Sequence, residues 1–569
     1  MTACFSAIGS ETMIETNPEI SCLAETHVVE NVPPPLEGYD SYARDLALRE
    51  AVQRFGGDWA EPGLTRFGLQ CGSAEWIQAG RLANENRPRL HTHDRYGHRV
   101  EEIEYHPAYH RLMERSIAHG LHALPWNRQE PGSHVARAAF CYLQTQVEAG
   151  HLCPITMTFA CLPTLNMQPE LAEKWRPGVT AGTYDPRNVP YTDKQGLTLG
   201  MGMTEKQGGS DVRSNSTRAA PVAAGGPGGE YELTGHKFFL SAPMSDAFLM
   251  LAQSEAGLSC FLVPRWRPDG SRNGIFINQL KDKMGNVSNA SCETDLRGAT
   301  GWMIGEEGRG VANIIEMVAL TRFDCTVASA AGMRQALVQA AHHCRHRRAF
   351  GELLECQPLM QNVLADLALE AEAATWLGMR LAAALDRAPE DESETLLVRI
   401  GTAVGKYWNC KRAPGHAFEA MECVGGSGVM ETTMMPRLYR EAPVNAIWEG
   451  SGNIQCLDVL RAIRKTPTSL EALLREIEPA RGEDRRFDRF AAALRTDLAG
   501  LTGEPGRARE LVERLALAWQ GALLIRAGNE VVSDAFCATR LDGARGRLYG
   551  ALPGGIDSPA LIERAWPAA

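Results

Sequence analysis

The spacing of apolar residues changes character twice along this chain, and that order of textures restricts its fold more than any single motif does. From about Ser41 to Asn166, HPAYHRLMERSIAHGLHAL and ARAAFCYLQTQVEAGHL place apolar residues three and four apart, the period of an amphipathic helix. Between about Thr180 and Gly301 the runs shorten and are divided by Gly, Pro and Asn. GEYELTGHKFFLS, DAFLMLAQ and LSCFLVPRW have the length and composition of strands. AAPVAAGGPGGEY reads as a turn-rich surface connection. Helical period returns at Gly310 and runs past Leu460, and RKTPTS then stops one helix and starts another. The expected class is α+β. A flexible extension covers 1–25, a helical domain 26–180, a β-domain 181–301, a helical bundle 302–465 and an added helical tail 466–569. A chain of 569 residues is too long for one core, in keeping with several domains.

Composition narrows the function classes. The apolar share of 44% is that of a folded protein, and no apolar run reaches the length a membrane span requires. No Lys or Arg precedes Arg44, so the start does not read as a secretory or transit segment, and a cytoplasmic location is expected. Fifteen cysteines without CxxC spacing fit reduced, buried thiols. A net charge of −11 argues against non-specific nucleic-acid binding by the whole chain. The stretch from Leu470 onward differs, with fourteen Arg, no Lys and fifteen acids. Its positive charge is all guanidinium, the group best suited to bidentate phosphate contacts.

Three short stretches carry candidate chemistry. GMGMTEKQGGSD (200–211) begins like a dinucleotide fingerprint, but Glu205 stands where the third glycine is needed and β-type sequence follows. Such a loop still lets backbone N–H groups approach a cofactor closely. His106 and His110 lie one helical turn apart with no carboxylate or cysteine at a telling interval, so no metal site is expected. In NAIWEGSGNIQCLDVLR (445–461), Glu449 sits between an apolar stretch and a small-residue turn. It reads as a first-turn helix carboxylate or as a base.

MGMTEKQGGSD, LKDKMGNVSNASCE, RRAFGELLECQPLMQ, MECVGGSGVME and PRLYREAPVNAIWEGSGNIQCLDVLR together resemble the acyl-CoA dehydrogenase flavoproteins in order and spacing. The wording is closest to the branch that acts in the response to DNA alkylation damage. The resemblance runs from about Thr26 into the tail. It implies a helical domain, a β-domain and a bundle with FAD between the last two, a homotetramer, and an added tail. The family pattern places Met201, Gly202, Met203, Thr204, Glu205, Lys206, Gln207, Gly208, Gly209 and Ser210 along the flavin. Phe239, Leu240 and Ser241 match its segment against the isoalloxazine. Arg347, Phe350 and Gln357 match contacts to the adenine diphosphate of a neighbouring subunit, although Gln357 comes one residue early. Gly425 and Gly426 form a turn that this diphosphate approaches. Ile447, Trp448, Gly450, Ser451, Gly452, Asn453 and Leu457 close the site. Read singly, Arg347 is a surface arginine and Gly425 a helix-breaking turn.

Glu449 falls where many family members keep the base that removes the α-proton of an acyl-CoA. A carboxylate beside Trp448 and a flavin is partly desolvated, which raises its pKa and makes it a better base. The position of Thr321, the base in other members, cannot serve. Where the family keeps Phe-Asp before an arginine to hold CoA, this chain has Val318-Ala319-Leu320-Thr321-Arg322, so weak acyl-CoA dehydrogenase activity is expected. The branch implies binding of double-stranded DNA, and Arg461, Arg540, Arg545 and Arg547 are candidate contacts, with Arg464 one turn after Arg461. Two alternatives stay open: a metabolic dehydrogenase of an unusual acyl-CoA without a DNA role, and a non-catalytic scaffold stabilised by its flavin.

Overall fold

In a computed structural model the described residues are 27–543 and 546–567. The extension expected over 1–25 and Arg545 lie outside them. Eight helices form the first part: α1 (Leu46–Arg54), α2 (Glu61–Cys71), α3 (Ala74–Glu85), α4 (Pro107–Ala118), α5 (Leu124–Asn127), α6 (Ser133–Val147), α7 (Leu152–Leu165) and α8 (Pro169–Val179). Between α3 and α4 lies a hairpin, β1 (Arg89–His93) and β2 (Arg99–Glu104), inside a stretch whose spacing reads as helical. Its cause is local. RLHTH and RVEEIE alternate in exposure along the strands, and Asp94 Oδ1 accepts from the N–H groups of Tyr96 and His98 to close the turn at Gly97.

The β-domain consists of β3 (Leu199–Gly202), β4 (Arg218–Pro221), β5 (Glu230–Ser241), β6 (Ala247–Ser254), β7 (Gly257–Pro264), β8 (Ile275–Leu280) and β9 (Ser291–Ile304). β4 takes in residues that read as surface connection. Pairings β4–β5, β5–β9, β9–β7, β7–β6 and β6–β4 close on themselves into a barrel, with β3 added beside β6 and β8 beside β9. Closure removes most free strand edges. β6 and β7 are apolar on both faces because their outer side packs on α7 and α8.

Three long helices then form a bundle: α9 (Gly310–His346), α10 (Pro358–Arg387) and α11 (Glu392–Cys423). Pro358 at the first turn of α10 and Asp391 capping Ser393 N–H on α11 mark their starts. β10 (Arg348–Ala349) and β11 (Glu352–Leu353) make a tight hairpin after α9. A buried fork from Arg137 on α6 to Asp324 on α9, at 2.6 and 2.7 Å, fixes the first domain to the bundle. α12 (Met435–Ile447) and α13 (Gly452–Lys465) follow, joined by the loop that carries Glu449.

The tail comprises α14 (Thr468–Ile477), α15 (Arg485–Gly503), α16 (Ala508–Ala527), α17 (Glu530–Phe536) and α18 (Ser558–Ala565). It shares the bundle's core. Trp519 of α16 lies so close to Gly401 of α11 that a Cβ there would come within 2.8 Å of the ring, and Trp408 Nε1 donates to Gln520. No helix among the described residues is long and apolar enough to cross a membrane.

Candidate active site

Between the barrel and the bundle lies a cavity of about 930 Å³. Five large apolar side chains that remain exposed in the folded chain, Phe239, Met284, Ile315, Ile447 and Leu457, all face this space. Apolar surface gathered inside a cleft marks a ligand site. Its volume is at the upper end of the ~300–1,000 Å³ usual for such sites, enough for a large planar cofactor beside a substrate.

Glu449 stands in the wall with φ +56°, a left-handed backbone that side chains other than glycine seldom adopt. Neither helix caps it: α12 ends at Ile447 and α13 begins at Gly452. Clamps on three successive carbonyls hold it. Lys406 Nζ donates to the oxygens of Trp448 and Gly450, each at 2.6 Å, and Arg322 Nε donates to that of Glu449 at 2.9 Å. Gln455 Nε2 bonds the last two, at 3.1 and 2.9 Å. Asp458 fixes Arg322 in turn, at 3.0 Å. Thr321 Oγ1 lies 2.9 Å from Glu449 Oε2. Burial raises the Glu449 pKa above the ordinary carboxylate value, and the Thr321 hydroxyl and the charges of Lys406 and Arg322 oppose that rise.

The glycine-rich loop divides into two functional halves. Met201, Met203, Thr204, Gly209 and Ser210 line the cavity. Gly202 faces the barrel interior, where an added Cβ would meet Leu240 at 3.0 Å, and Leu240 itself is fully buried. Glu205 turns away from the cavity, contrary to its place in the expected flavin set. Its carboxylate forms a fully buried ion pair with Lys237 at 2.8 Å and accepts from Ser216 and Thr217 N–H groups. Gln207 donates to the same carboxylate, Lys206 points to solvent near Glu293, and Gly208 bonds back to Glu205. These four hold the loop's shape and leave its flanks to meet a ligand. Phe239 and Ser241 line the cavity across from Trp448, and Ser241 bonds Ser291.

Beyond Glu449, Gly450, Ser451 and Leu457 line the same space. Gly452 is buried at the start of α13, and Asn453 accepts from Arg509 of the tail at 2.9 Å. Arg347, Phe350, Gln357, Gly425 and Gly426 do not line this cavity. Arg347 reaches the Asn31 carbonyl, Gln357 holds the Ala349 carbonyl, and Phe350 is 99% exposed at a hairpin tip with φ +53°. Open space surrounds the Cβ positions of Gly425 and Gly426.

The arginines separate likewise. Arg461 is exposed at the cavity wall, loosely paired with Asp458, and Arg547 is exposed. Arg540 is not available for DNA. It is buried against Asp366 and Glu370 of α10 and ties the tail to the bundle. The thirteen described cysteines are free, eleven of them buried, and no metal cluster occurs among the described residues. Lys406 and Gln455 are the functional residues the sequence conceals, because nothing in their local patterns marks them as partners of the loop.

The cavity fits FAD on its own terms, with an exposed aromatic and methionines for a flat ring, hydroxyls at Thr204, Ser210 and Ser241, and a glycine for close backbone approach.

Three family models match this chain: the adaptive response protein AidB N-terminal domain over 31–186, the acyl-CoA dehydrogenase middle domain over 200–299 and its C-terminal domain over 308–464. The putative acyl-CoA dehydrogenase AidB of Escherichia coli is 46% identical over 91% of this chain and 95% of its own. Acyl-CoA dehydrogenase family member 11 of Caenorhabditis elegans is 29% identical over 84% and 81%. Among solved structures, C. elegans ACDH-11 in complex with C11-CoA superposes with a TM-score of 0.81 at 26% identity, covering 96% of this chain and 94% of that one. A Bacillus anthracis acyl-CoA dehydrogenase complexed with FAD shares the fold, with a TM-score of 0.61 at 18% identity over 76% and 80%. With its matching domains in this order and a relative alike over nearly its whole length, the chain belongs to the acyl-CoA dehydrogenase family, in its AidB branch.

Proposed function

We propose that this protein is an FAD-dependent oxidoreductase acting on the Cα–Cβ bond of an acyl-CoA, with Glu449 as the base. The clamped, left-handed Glu449 carries this reading, since three separate side chains fix the backbone around one carboxylate in a cavity wall. Bound FAD supplies the hydride acceptor. The chain's own part is to hold the acyl group against the ring, to keep water out with Trp448 and Phe239, and to take the α-proton on the Glu449 carboxylate. Its raised pKa favours that transfer. Thr321 orients the carboxylate. The CoA grip is thin where Val318 replaces an aromatic, in keeping with modest turnover. Phe350, Gly425 and Gly426 are exposed, and Arg347 and Gln357 are half-buried outside the cavity, in keeping with contacts supplied to a second subunit's cofactor in a homotetramer. Substrate-driven bleaching of the bound flavin tests the reading. Glu449→Gln should slow it about 10²- to 10⁴-fold with flavin content unchanged, and an unaltered rate overturns it.

A second reading adds binding of double-stranded DNA in the response to alkylation. It is favoured by a basic end on α13, where Arg461, Arg464 and Lys465 are all exposed and Arg461 stands at the cavity wall. Tail arginines 481, 486, 489, 495, 507 and 514 are engaged by acids, so this end and Arg547 are the better candidates. In a mobility-shift titration over salt, an Arg461→Ala, Arg464→Ala variant should lose affinity and lower the salt slope by about 1–2. Identical slopes refute it.

A further inference from the structure

Leu240 lies between Phe239 and Ser241, which face the large cavity, and contributes to the wall of a second pocket of about 330 Å³. Five arginines line this pocket: Arg99 of β2, Arg265 at the end of β7, Arg267 and Arg272 of the hairpin that follows, and Arg297 of β9. Glu101 is the single acid in the wall. For a chain of net charge −11, this is a pronounced local concentration of positive charge.

The two outer arginines are engaged by acids, Arg99 with Glu101 at 2.6 Å and Arg297 with Asp295 at 3.1 Å. The three inner ones are half-buried and form no ion pair among the described residues. Arg265 donates to Met244 Sδ at 2.8 Å and to Asn188. Arg267 donates to the Gly298 carbonyl at 3.1 Å, and its Nε is buried with no partner. Arg272 lies over the Trp266 ring at 5.0 Å. The carboxylate nearest in effect to Arg265, Asp246, is already held by Lys194 at 2.7 Å and by Thr198 N–H. Glu102 acts on Arg265 and Arg272 without a direct bond. Burial pushes Arg265 down to about 10, with the Arg272 charge adding to the fall, and burial also lowers Arg272 against the opposing pull of Glu101 and Glu102.

A cluster of this kind is stable only at a cost that a bound anion would offset. Planar donor forks match phosphoryl oxygens, and the aromatic faces of Trp266 and Phe276 keep three of the guanidinium planes in place. A concave space of this volume takes a small ligand and excludes the convex surface of a duplex. We propose that this pocket binds a small phosphate-bearing anion, a diphosphate or phosphate monoester, through Arg265, Arg267 and Arg272.

The test is isothermal titration of inorganic pyrophosphate into full-length, FAD-loaded protein, so that the large cavity is occupied. Saturable binding, one site per chain, is expected. It should weaken by about 10- to 100-fold in Arg272→Gln and in Arg267→Gln, each checked for an unchanged visible spectrum and circular dichroism. The exposed Arg297→Gln gives a smaller loss and remains informative if the inner variants fail to fold. Absence of saturable binding, or wild-type affinity in all folded variants, overturns the proposal. Displacement of pyrophosphate by duplex DNA also overturns it, because the anion would then belong to a nucleic-acid surface.

Discussion

Lys406→Met offers the sharpest probe of how the Glu449 loop works. Lys406 is buried on α11 and spends its ammonium on two carbonyls 2.6 Å away, those of Trp448 and Gly450. Charge-assisted bonds of this kind contribute about 1.5–3 kcal/mol each. Methionine fills the same volume and avoids the desolvation of a cation, so the net loss should be about 2–4 kcal/mol. That is comparable with the roughly 1–3 kcal/mol needed to hold a non-glycine residue in the left-handed region. Gly450 keeps Gln455 as a donor, whereas the Trp448 carbonyl loses its side-chain partner. Glu449 should therefore leave its observed conformation for much of the time, and single-turnover flavin reduction by an acyl-CoA should slow about 10- to 100-fold. The pH profile adds a second readout. Glu449 works as a base only when ionised, so the rate rises with pH as its proton leaves. Removing the Lys406 charge, which opposes the rise in that pKa, should move the acidic limb to higher pH. Gln455→Leu removes bonds to the same loop without removing charge, and should slow the reaction while leaving the limb in place. A Lys406→Met enzyme with an unmoved limb and a rate within about twofold of wild type would refute the clamp.

Two further outcomes follow from buried charge. Arg540→Met removes the ion-pair partner of buried Asp366, while Glu370 keeps Arg412, and should lower stability to urea by about 3–5 kcal/mol; full stability with reduced DNA affinity would return Arg540 to the surface. Glu441, in the cavity wall, has its carboxyl pushed up to about 7 by burial and by Glu148. The stability this group contributes is fully present below its unfolded value near ~4.3 and is lost as pH rises through about 7. Glu441→Gln should therefore reduce the loss of stability between about pH 5 and 8 by roughly 1–3 kcal/mol, and parallel urea curves for the two proteins would contradict this.

What could be read from the sequence was what depends on local pattern. β5, β6 and β7 announce themselves through short β-rich runs, and the stop at Lys465 is visible in RKTPTS. The β1–β2 hairpin was equally local but brief, and helical spacing on both sides of it masks its alternation. Glu449 could be placed at the site by motif but not given its conformation, which is held by Lys406 and Arg322, 43 and 127 residues earlier in the chain. Glu205 misleads for a related reason: a carboxylate in a cofactor loop looks like a ligand contact until its buried partner, Lys237 on β5, is known. Arg540 misleads similarly, since composition counts a guanidinium but does not reveal the two acids of α10 around it.

The bond from Arg509 to Asn453 means that the tail is not an appendage. Cutting the chain after Lys465 would uncover the tryptophan-lined seam with α11 and release the first turn of α13 in the same stroke, so a truncated protein reports on the reacting loop as much as on the tail. The link also runs both ways. A ligand on the tail that favours this position of α13 must, by thermodynamic reciprocity, strengthen whatever the Glu449 loop holds, and occupancy of one end becomes legible in the colour of the other.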